Sequence, residues 1–225
     1  IGAGARNTCA VRASGVVACW GDNAYGQVGD GTTTRRLTPG LVRGISGVDS
    51  VEPSPFGITP DWSPFVCARG GTSVYCWGSN EHAVLGSPAG GVAVTPERVR
   101  ALPADPSGTS PGMFRANLAV GAWGVLQTQF FAMTGFTMGG HEVWGWGWNL
   151  AGSLGIYCAS GTDCAPARTF GTLRSDPILS VAAGMQHTCI ALTRAGVGAV
   201  SCMGSNAGYA LGTTAGTSSH ETSGV

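Results

Sequence analysis

Short runs of β-branched and aromatic residues, separated by glycine-rich turns, dominate the hydrophobic pattern of the chain. Residues 65–68 and 73–77 are two such runs, and a Gly-Gly pair lies between them. Alternation with a period of two and turn residues at short intervals are typical of antiparallel strands. Helical periodicity is almost absent, so the pattern predicts an all-β fold.

A short motif, Cys-Trp-Gly-x-Asn, recurs along the chain and divides it into four repeats. It occupies residues 19–23 and 76–80, and altered copies occupy residues 145–149 and 202–206. Four variable residues later, each copy is followed by an apolar-Gly pair such as Val28-Gly29. Such a repeat is typical of β-propeller blades. We expect four propeller repeats over residues 1–211, and a polar tail or a linker over residues 212–225.

Composition excludes several classes of protein. The 225 residues include 38 glycines and 12 prolines, which together would suggest disorder, but the hydrophobic fraction of 43% contradicts it. The formal net charge is zero, so no basic footprint indicates a nucleic-acid partner. No stretch has the length and apolar character of a membrane span. The sequence also contains no lysine, which removes Schiff-base and phosphate-loop lysine chemistry.

The eight cysteines are placed as if they pair locally. Folding each hairpin about its glycine turn sets Cys9 opposite Cys19, Cys67 opposite Cys76 and Cys189 opposite Cys202, a separation that a disulfide can bridge. Cys158 and Cys164 close a small loop of their own. Free buried cysteines are the alternative, and a metal site is disfavoured because C-x-x-C and zinc-like histidine spacings are absent. Disulfides indicate an oxidising compartment: extracellular, cell-surface or periplasmic.

Repeat three supplies a control for this pairing. We take Ala132 and Gly145 as the equivalents of the hairpin cysteines there, so both cysteines are lost together. Joint loss is expected of a bonded pair and is not expected of two independent core cysteines. Hairpin disulfides in the other three repeats are therefore favoured.

Two segments resemble the repeats of the regulator of chromosome condensation family. Residues 180–189, Ser-Val-Ala-Ala-Gly-Met-Gln-His-Thr-Cys, match the first half of that repeat, and residues 20–29, Trp-Gly-Asp-Asn-Ala-Tyr-Gly-Gln-Val-Gly, match the second. The resemblance implies a seven-bladed β-propeller, of which four repeats are visible here as an open arc or part of a ring. It implies exposed strand edges covered by further blades or a partner subunit, and an isolated chain that oligomerises. The paired cysteines suggest a secreted bacterial type.

Most recurring residues are expected to be structural. Trp20, Trp77 and Trp146 share one repeat position and should pack in the core. The tetrad asparagines should satisfy backbone groups in turns.

Function is expected where a repeat departs from its own pattern. Trp148 replaces Asp22, Ser79 and Ser205, and Trp144 replaces Ala18, Tyr75 and Ser201. With Trp146 these residues alternate along a strand, which places them on one face, either as a repacked blade or as an anchor for a protein or glycan partner. Insertions containing Phe56, Trp62 and Phe114, together with the 158–164 loop, offer further partner-binding surfaces.

The sequence favours a non-enzymatic protein without cofactors. Residues 108–112 match a nucleophile-elbow string, but Pro111 lacks the N–H that an oxyanion hole needs. The leading hypothesis is a secreted or surface-exposed interaction scaffold that forms a subunit or module of a larger bacterial assembly. The alternatives are an enzyme-inhibitor propeller that resembles the β-lactamase-inhibitory protein and, less favoured, a guanine nucleotide exchange factor.

Overall fold

A computed structural model of the protein is built almost entirely of antiparallel strands. It describes residues 1–55, 64–71, 73–100, 102, 118–120, 124–131, 140–154, 156, 158–168, 178–184, 186–194, 196–212 and 221–224. Helix within these ranges is limited to two 3-10 turns, Leu150–Gly152 and Ala207–Tyr209. The predicted all-β class is confirmed.

The strands form four sheets of four, and each sheet is called a blade. Blade 1 contains β1 (Gly2–Ala3), β2 (Asn7–Val11), β3 (Val17–Gly21) and β4 (Arg36–Leu41). Blade 2 contains β5 (Ser50–Pro53), β6 (Phe65–Gly70), β7 (Ser73–Ser79) and β8 (Val92–Arg98). Blade 3 contains β9 (Leu118–Val120), β10 (Gly124–Phe131), β11 (Gly140–Trp148) and β12 (Asp163–Arg168). Blade 4 contains β13 (Ile178–Ala183), β14 (His187–Arg194), β15 (Val197–Gly204) and β16 (Glu221–Gly224).

The chain divides into two compact units, the first holding blades 1 and 2 and the second holding most of blades 3 and 4. Trp77, Phe65 and Val66 are among the most deeply buried side chains of the first unit. The second unit has its own cluster of buried apolar side chains, in which Leu154, Ile190 and Met203 take part. The tetrad aromatic, or its Met203 replacement, therefore lies in the core as expected, except that Trp20 is only half-buried.

The second and third strands of blades 1, 2 and 4 place the hairpin cysteines directly opposite each other, as predicted. Disulfides join Cys9 to Cys19, Cys67 to Cys76 and Cys189 to Cys202, each with a Cα–Cα distance of 4.1 Å. That distance suits a non-hydrogen-bonded antiparallel pair, in which side chains approach most closely. A fourth disulfide joins Cys158 to Cys164.

The assignment of Ala132 as the partner of Gly145 is wrong. Gly145 lies opposite Leu126, so Leu126 is the true equivalent of the first hairpin cysteine. The strands of this hairpin, β10 and β11, are longer than those of the first two blades, which moves the turn away from the tetrad. The joint absence of cysteine at both positions still holds.

The predicted boundary at residue 211 also needs correction. Residues 221–224 form β16, which pairs with β15 between Ala199 and Cys202. Part of the small, polar segment 212–225 is therefore the outer strand of blade 4 and not a tail. Hydrophobic patterning missed it because an edge strand of Glu, Thr, Ser and Gly carries no apolar alternation.

Candidate interaction site

The segment that begins at each tetrad Asn folds into the same tight loop, which we call the Asn loop (23–29, 80–86, 149–154 and 206–212). In every blade the side-chain Oδ1 of the Asn accepts a hydrogen bond from the backbone N–H five residues later. The acceptor–donor pairs are Asn23–Val28 at 2.8 Å, and Asn80–Leu85, Asn149–Leu154 and Asn206–Leu211 at 3.0 Å. The expectation that these asparagines satisfy turn backbone groups is confirmed.

The third residue after each Asn has a left-handed backbone, which favours glycine. It is Gly26 in blade 1 and Gly152 in blade 3, but Ala83 in blade 2 and Tyr209 in blade 4, where φ is 53° and 62°. A non-glycine residue in this region costs of order 1 kcal/mol. Tyr209 is also 70% exposed, so its side chain gains little from burial within this structure.

The Asn loop of blade 1 is the docking site for the tetrad tryptophan of blade 2. The indole Nε1 of Trp77 donates a hydrogen bond of 3.0 Å to the carbonyl oxygen of Gln27. Gly29 lies so close that a Cβ there would be 2.7 Å from Trp77 Nε1. Trp77 is fully buried, so it both fills the core and fixes the contact between two successive blades.

The residue between the tetrad Gly and Asn supports the Asn loop in three of the four blades. The Ser79 and Ser205 hydroxyls accept hydrogen bonds from Glu81 N (3.4 Å) and Ala207 N (3.2 Å), and an Asp22 carboxylate oxygen accepts one from Asn23 N (3.0 Å). These are the local side chain–backbone bonds typical of Ser and Asp in turns. An indole has no acceptor, so Trp148 in blade 3 cannot take this role.

Trp144 and Trp148 differ from Trp146 in exposure. Trp146 is fully buried, whereas Trp144 and Trp148 are half-buried. The tetrad glycine between Trp146 and Trp148, Gly147, has φ 105°, which interrupts regular strand alternation. The two half-buried tryptophans occupy the positions of Tyr75 and Ser79 in blade 2, of which Tyr75 is also half-buried.

The structure brings Trp148 together with the insertion that carries the fourth disulfide. In the β11–β12 pairing, Trp148 lies opposite Asp163, and Gly147 lies opposite Cys164. The connecting loop 159–163 is exposed. Asn149 holds this loop in place, because its side-chain amide donates to the carbonyl of Cys158 at 2.9 Å. Two surfaces predicted separately from the sequence are therefore neighbours on blade 3.

The remaining predicted contact residues, Phe56, Trp62 and Phe114, lie outside the residues that the structure describes. Sequence reasoning missed two exposed apolar side chains, Leu37 and Tyr209. A signal for Tyr209 was available, since Gly26 stands at the same position of blade 1.

One buried carboxylate of the first unit, Asp30, has a charged partner. Buried Asp30 accepts a 2.6 Å hydrogen bond from Arg36 Nε. Burial alone would raise the pKa of Asp30, but hydrogen bonds from Thr32 and Arg36 lower it overall. The ionised carboxylate therefore stabilises the fold at neutral pH, and this contribution is lost as the pH falls through the lowered pKa. Burial raises the pKa of Glu52, which lines a cleft between the blade 1 hairpin turn and β5.

No group of three or more His, Cys, Asp or Glu side chains among the described residues is arranged to hold a metal ion. No helix in the part of the chain that the structure covers is long and apolar enough to cross a membrane.

Comparison with known proteins identifies the repeat. The Regulator of chromosome condensation (RCC1) repeat matches residues 1–27. The first repeat of the chain is therefore similar to the regulator of chromosome condensation repeat. Human RCC1 domain-containing protein 1 is 32% identical over 96 residues, which cover 43% of this chain and 24% of that protein.

Solved structures show the same propeller fold. Human WBSCR16 matches 99% of this chain with a TM-score of 0.69 and 17% identity. Yeast RCC1 (Prp20), crystallised bound to Kap60, matches 97% with a TM-score of 0.67 and 18% identity. This chain spans about half of each solved chain, 51% and 46%, and 24% of the curated relative. The predicted propeller fold is therefore confirmed, and the predicted resemblance to the repeat is confirmed over residues 1–27.

Proposed function

We propose that this chain is a non-enzymatic protein-interaction scaffold and that its partner contacts blade 3 through Trp148 and Trp144. The observation that carries the proposal is the departure of Trp148 from its repeat. Three blades use this position to bond the Asn loop, and blade 3 places a half-buried indole there instead. Tryptophan is the residue most enriched among interface hot spots.

The surroundings of Trp148 support this assignment. The core position of blade 3 is already filled by buried Trp146, so a second and a third indole are not needed there. The exposed 159–163 loop is held by Asn149 and by the disulfide between Cys158 and Cys164. A loop fixed in one conformation loses less entropy on binding, which favours affinity. The fold is consistent with a scaffold, since yeast RCC1 was crystallised with the protein Kap60.

We further propose an oxidising location: extracellular, cell-surface or periplasmic. Four disulfides support it, since cytosolic thiols are normally kept reduced. In protein isolated from its native source after rapid thiol trapping, all eight cysteines should be unavailable to the trapping reagent. Recovery of free thiols from the hairpin pairs would contradict this location.

The partner proposal is tested by site-specific photo-crosslinking. A photoreactive amino acid is placed at Trp148 in one sample and at Ser205, the same position of blade 4, in the matched control. Both are exposed to the secreted and cell-envelope fractions of the native source. A protein adduct is expected from position 148 and not from position 205. Equal adducts from both positions, or none from position 148, would contradict the proposal.

The captured protein also decides between functions. An enzyme whose activity falls on binding would make this chain an inhibitor, and a small GTPase would make it an exchange factor. A structural or adhesive protein would support the scaffold.

A further inference from the structure

The loop that follows the Asn loop in blade 2 is held by three hydrogen bonds. Asn80 N donates to Gly91 O at 3.1 Å, and Gly90 N donates to Asn80 O at 2.7 Å. The side-chain amide of Asn80 donates to Pro88 O at 2.7 Å. Residues 87–91 contain no cysteine. Three bonds to one asparagine are therefore enough to shape this loop and to lead the chain into β8.

Blade 3 keeps the same three bonds and adds a disulfide. Asn149 N donates to Thr162 O and Gly161 N donates to Asn149 O, both at 2.9 Å. The Asn149 side chain donates to Cys158 O at 2.9 Å. β12 then rejoins β11 at the residue before the Asn, as β8 rejoins β7 in blade 2. Because these bonds suffice in blade 2, the disulfide between Cys158 and Cys164 is additional to what the blade requires.

Opening of this disulfide would free a segment of chain, which opening of a hairpin disulfide would not. Cys158 is half-buried and precedes the exposed residues 159–163, whereas Cys164 is buried in β12. The hairpin cysteines of blades 1 and 2 are fully buried. In blade 4 Cys189 is half-buried, but it lies within paired strands, directly opposite Cys202. Strand pairing keeps two such thiols together after reduction, so their high effective concentration favours renewed bond formation.

We propose that the Cys158–Cys164 disulfide is a thiol–disulfide exchange site for an external protein dithiol, and that its reduction releases the 159–163 loop from beside Trp148. The closed form is the resting form in an oxidising compartment. After reduction the bonds to Asn149 keep the blade folded, while the loop loses its covalent anchor. An anchored loop binds at a lower entropic cost, so reduction lowers affinity at this surface. This loss of affinity rests on the binding role proposed above for Trp148.

The difference in exposure sets the direction of the exchange. A thiolate of the dithiol attacks Cys158 Sγ, the S–S bond breaks, and Cys164 Sγ leaves as a thiolate. Thr162 Oγ1 lies 3.9 Å from Cys164 Sγ, and in the closed loop its hydroxyl donates to Ala159 O. Movement of Ala159 frees this hydroxyl to donate to the leaving thiolate. The second thiol of the dithiol then attacks the mixed disulfide and releases Cys158. The dithiol loses two electrons and two protons, and the protons end on Cys158 and Cys164.

Reduced thioredoxin serves as the test dithiol, because its reaction reports on the exchange site without any partner of Trp148. Samples are quenched with an alkylating reagent at intervals, and peptide mapping locates the alkylated cysteines. Cys158 and Cys164 should be alkylated about tenfold faster than Cys189 and Cys202, the half-buried hairpin pair that is the matched control. A thioredoxin variant without its second thiol should be trapped on Cys158. Equal or reversed rates, or trapping on Cys164, would overturn the exchange site.

Release of the loop is tested with the double variant Cys158→Ser, Cys164→Ser, which lacks the disulfide without any reductant. Its circular dichroism should match that of the parent chain, because the bonds to Asn149 remain. Amide hydrogen exchange at Gly161 should be about tenfold faster, whereas exchange at Gly90, the equivalent amide of blade 2, should not change. An unfolded double variant, or unchanged exchange at Gly161, would overturn the proposed release.

Affinity for the crosslinked partner separates this regulation from the proposed function. The double serine variant should bind that partner about fivefold more weakly than the parent chain, or weaker still. If Trp148→Ser binds weakly and the double serine variant binds like the parent, the regulation is overturned and the binding role of Trp148 stands. Selective reduction of Cys158–Cys164 without an adduct at position 148 would support the exchange site and contradict the proposed function.

Discussion

Blades 2 and 3 are built from the same repeat but differ at positions that a four-stranded blade does not require. Both bury the tetrad tryptophan, Trp77 or Trp146, and both close the Asn loop with the same 3.0 Å bond. Blade 2 joins its hairpin with Cys67 and Cys76, whereas blade 3 has no cysteine there. Blade 3 places a disulfide in the loop beside Trp148 instead.

The comparison separates what specifies a blade from what can vary. The Asn loop is present in both blades, as it is in blades 1 and 4, and both bury a large apolar side chain at the tetrad position, which Met203 supplies in blade 4. The hairpin disulfide and the residue before the Asn change without loss of the four-stranded sheet. Positions that the fold does not fix are free to acquire function, which is why blade 3 is the proposed binding blade.

The largest expected effect concerns the hairpin disulfides. Replacing both Cys67 and Cys76 with Ala should lower the free energy of unfolding by about 3 kcal/mol, because the unfolded chain loses a constraint. The reverse change, Leu126→Cys with Gly145→Cys, should form a new bridge in blade 3. Its gain should be smaller, since a Cβ on Gly145 lies 3.2 Å from the carbonyl oxygen of Leu154.

Chemical denaturation and non-reducing peptide mapping measure both effects. Unchanged stability of the blade 2 variant would show that the disulfide between Cys67 and Cys76 does not stabilise the blade. Failure of the new cysteines to pair would contradict the register of β10 with β11.

A second, smaller effect tests the contact between Trp77 and the Asn loop of blade 1. Gly29→Ala and Gly212→Ala both place alanine in the left-handed region, at φ 76° and 73°, which costs about 1 kcal/mol. Only Gly29 faces a side chain, so its variant should lose about 2 kcal/mol more through displacement of Trp77. Thermal unfolding of dilute samples gives the difference. Equal losses would mean that the indole is not held by this loop.

Substitutions at the third residue after the Asn should change the free energy of unfolding in opposite directions in blades 3 and 4. Gly152→Ala should destabilise by about 1 kcal/mol and Tyr209→Gly should stabilise by a similar amount, because both φ values are positive and neither site is fully buried. The two melting temperatures are compared with that of the parent chain. A loss of stability in Tyr209→Gly would mean that the tyrosine side chain supports the blade.

Local pattern predicted the parts of this molecule that depend on residues close in sequence. The hairpin cysteines and the Asn turns act within one repeat, so spacing alone placed them, whereas the contact of Trp77 with the Asn loop of blade 1 was not predicted. The partner of Gly145 was misplaced because the length of β10 and β11 depends on sheet pairing, which spacing does not record. The strand β16 was missed because edge pairing needs only backbone groups.

The candidate sites were harder to predict from the sequence. Trp148 stood out because the other repeats provide a reference at its position. Its position beside the 158–164 loop depends on the β11–β12 register, which sequence could not give. Leu37 drew no attention because a leucine in a strand is ordinarily half-buried.

The proposed binding role of Trp148 is tested most directly by Trp148→Ser, with thermal stability and affinity measured on the same sample. Serine restores the residue of blades 2 and 4 and an acceptor for the N–H of Leu150, so lost packing is offset and unfolding should change by less than about 1 kcal/mol. Binding to the crosslinked partner, measured by calorimetry, should weaken by about 2 kcal/mol or more, and a Leu37→Ser control should bind normally. A sharply lowered melting temperature with unchanged affinity would place Trp148 in the blade core and contradict its proposed role.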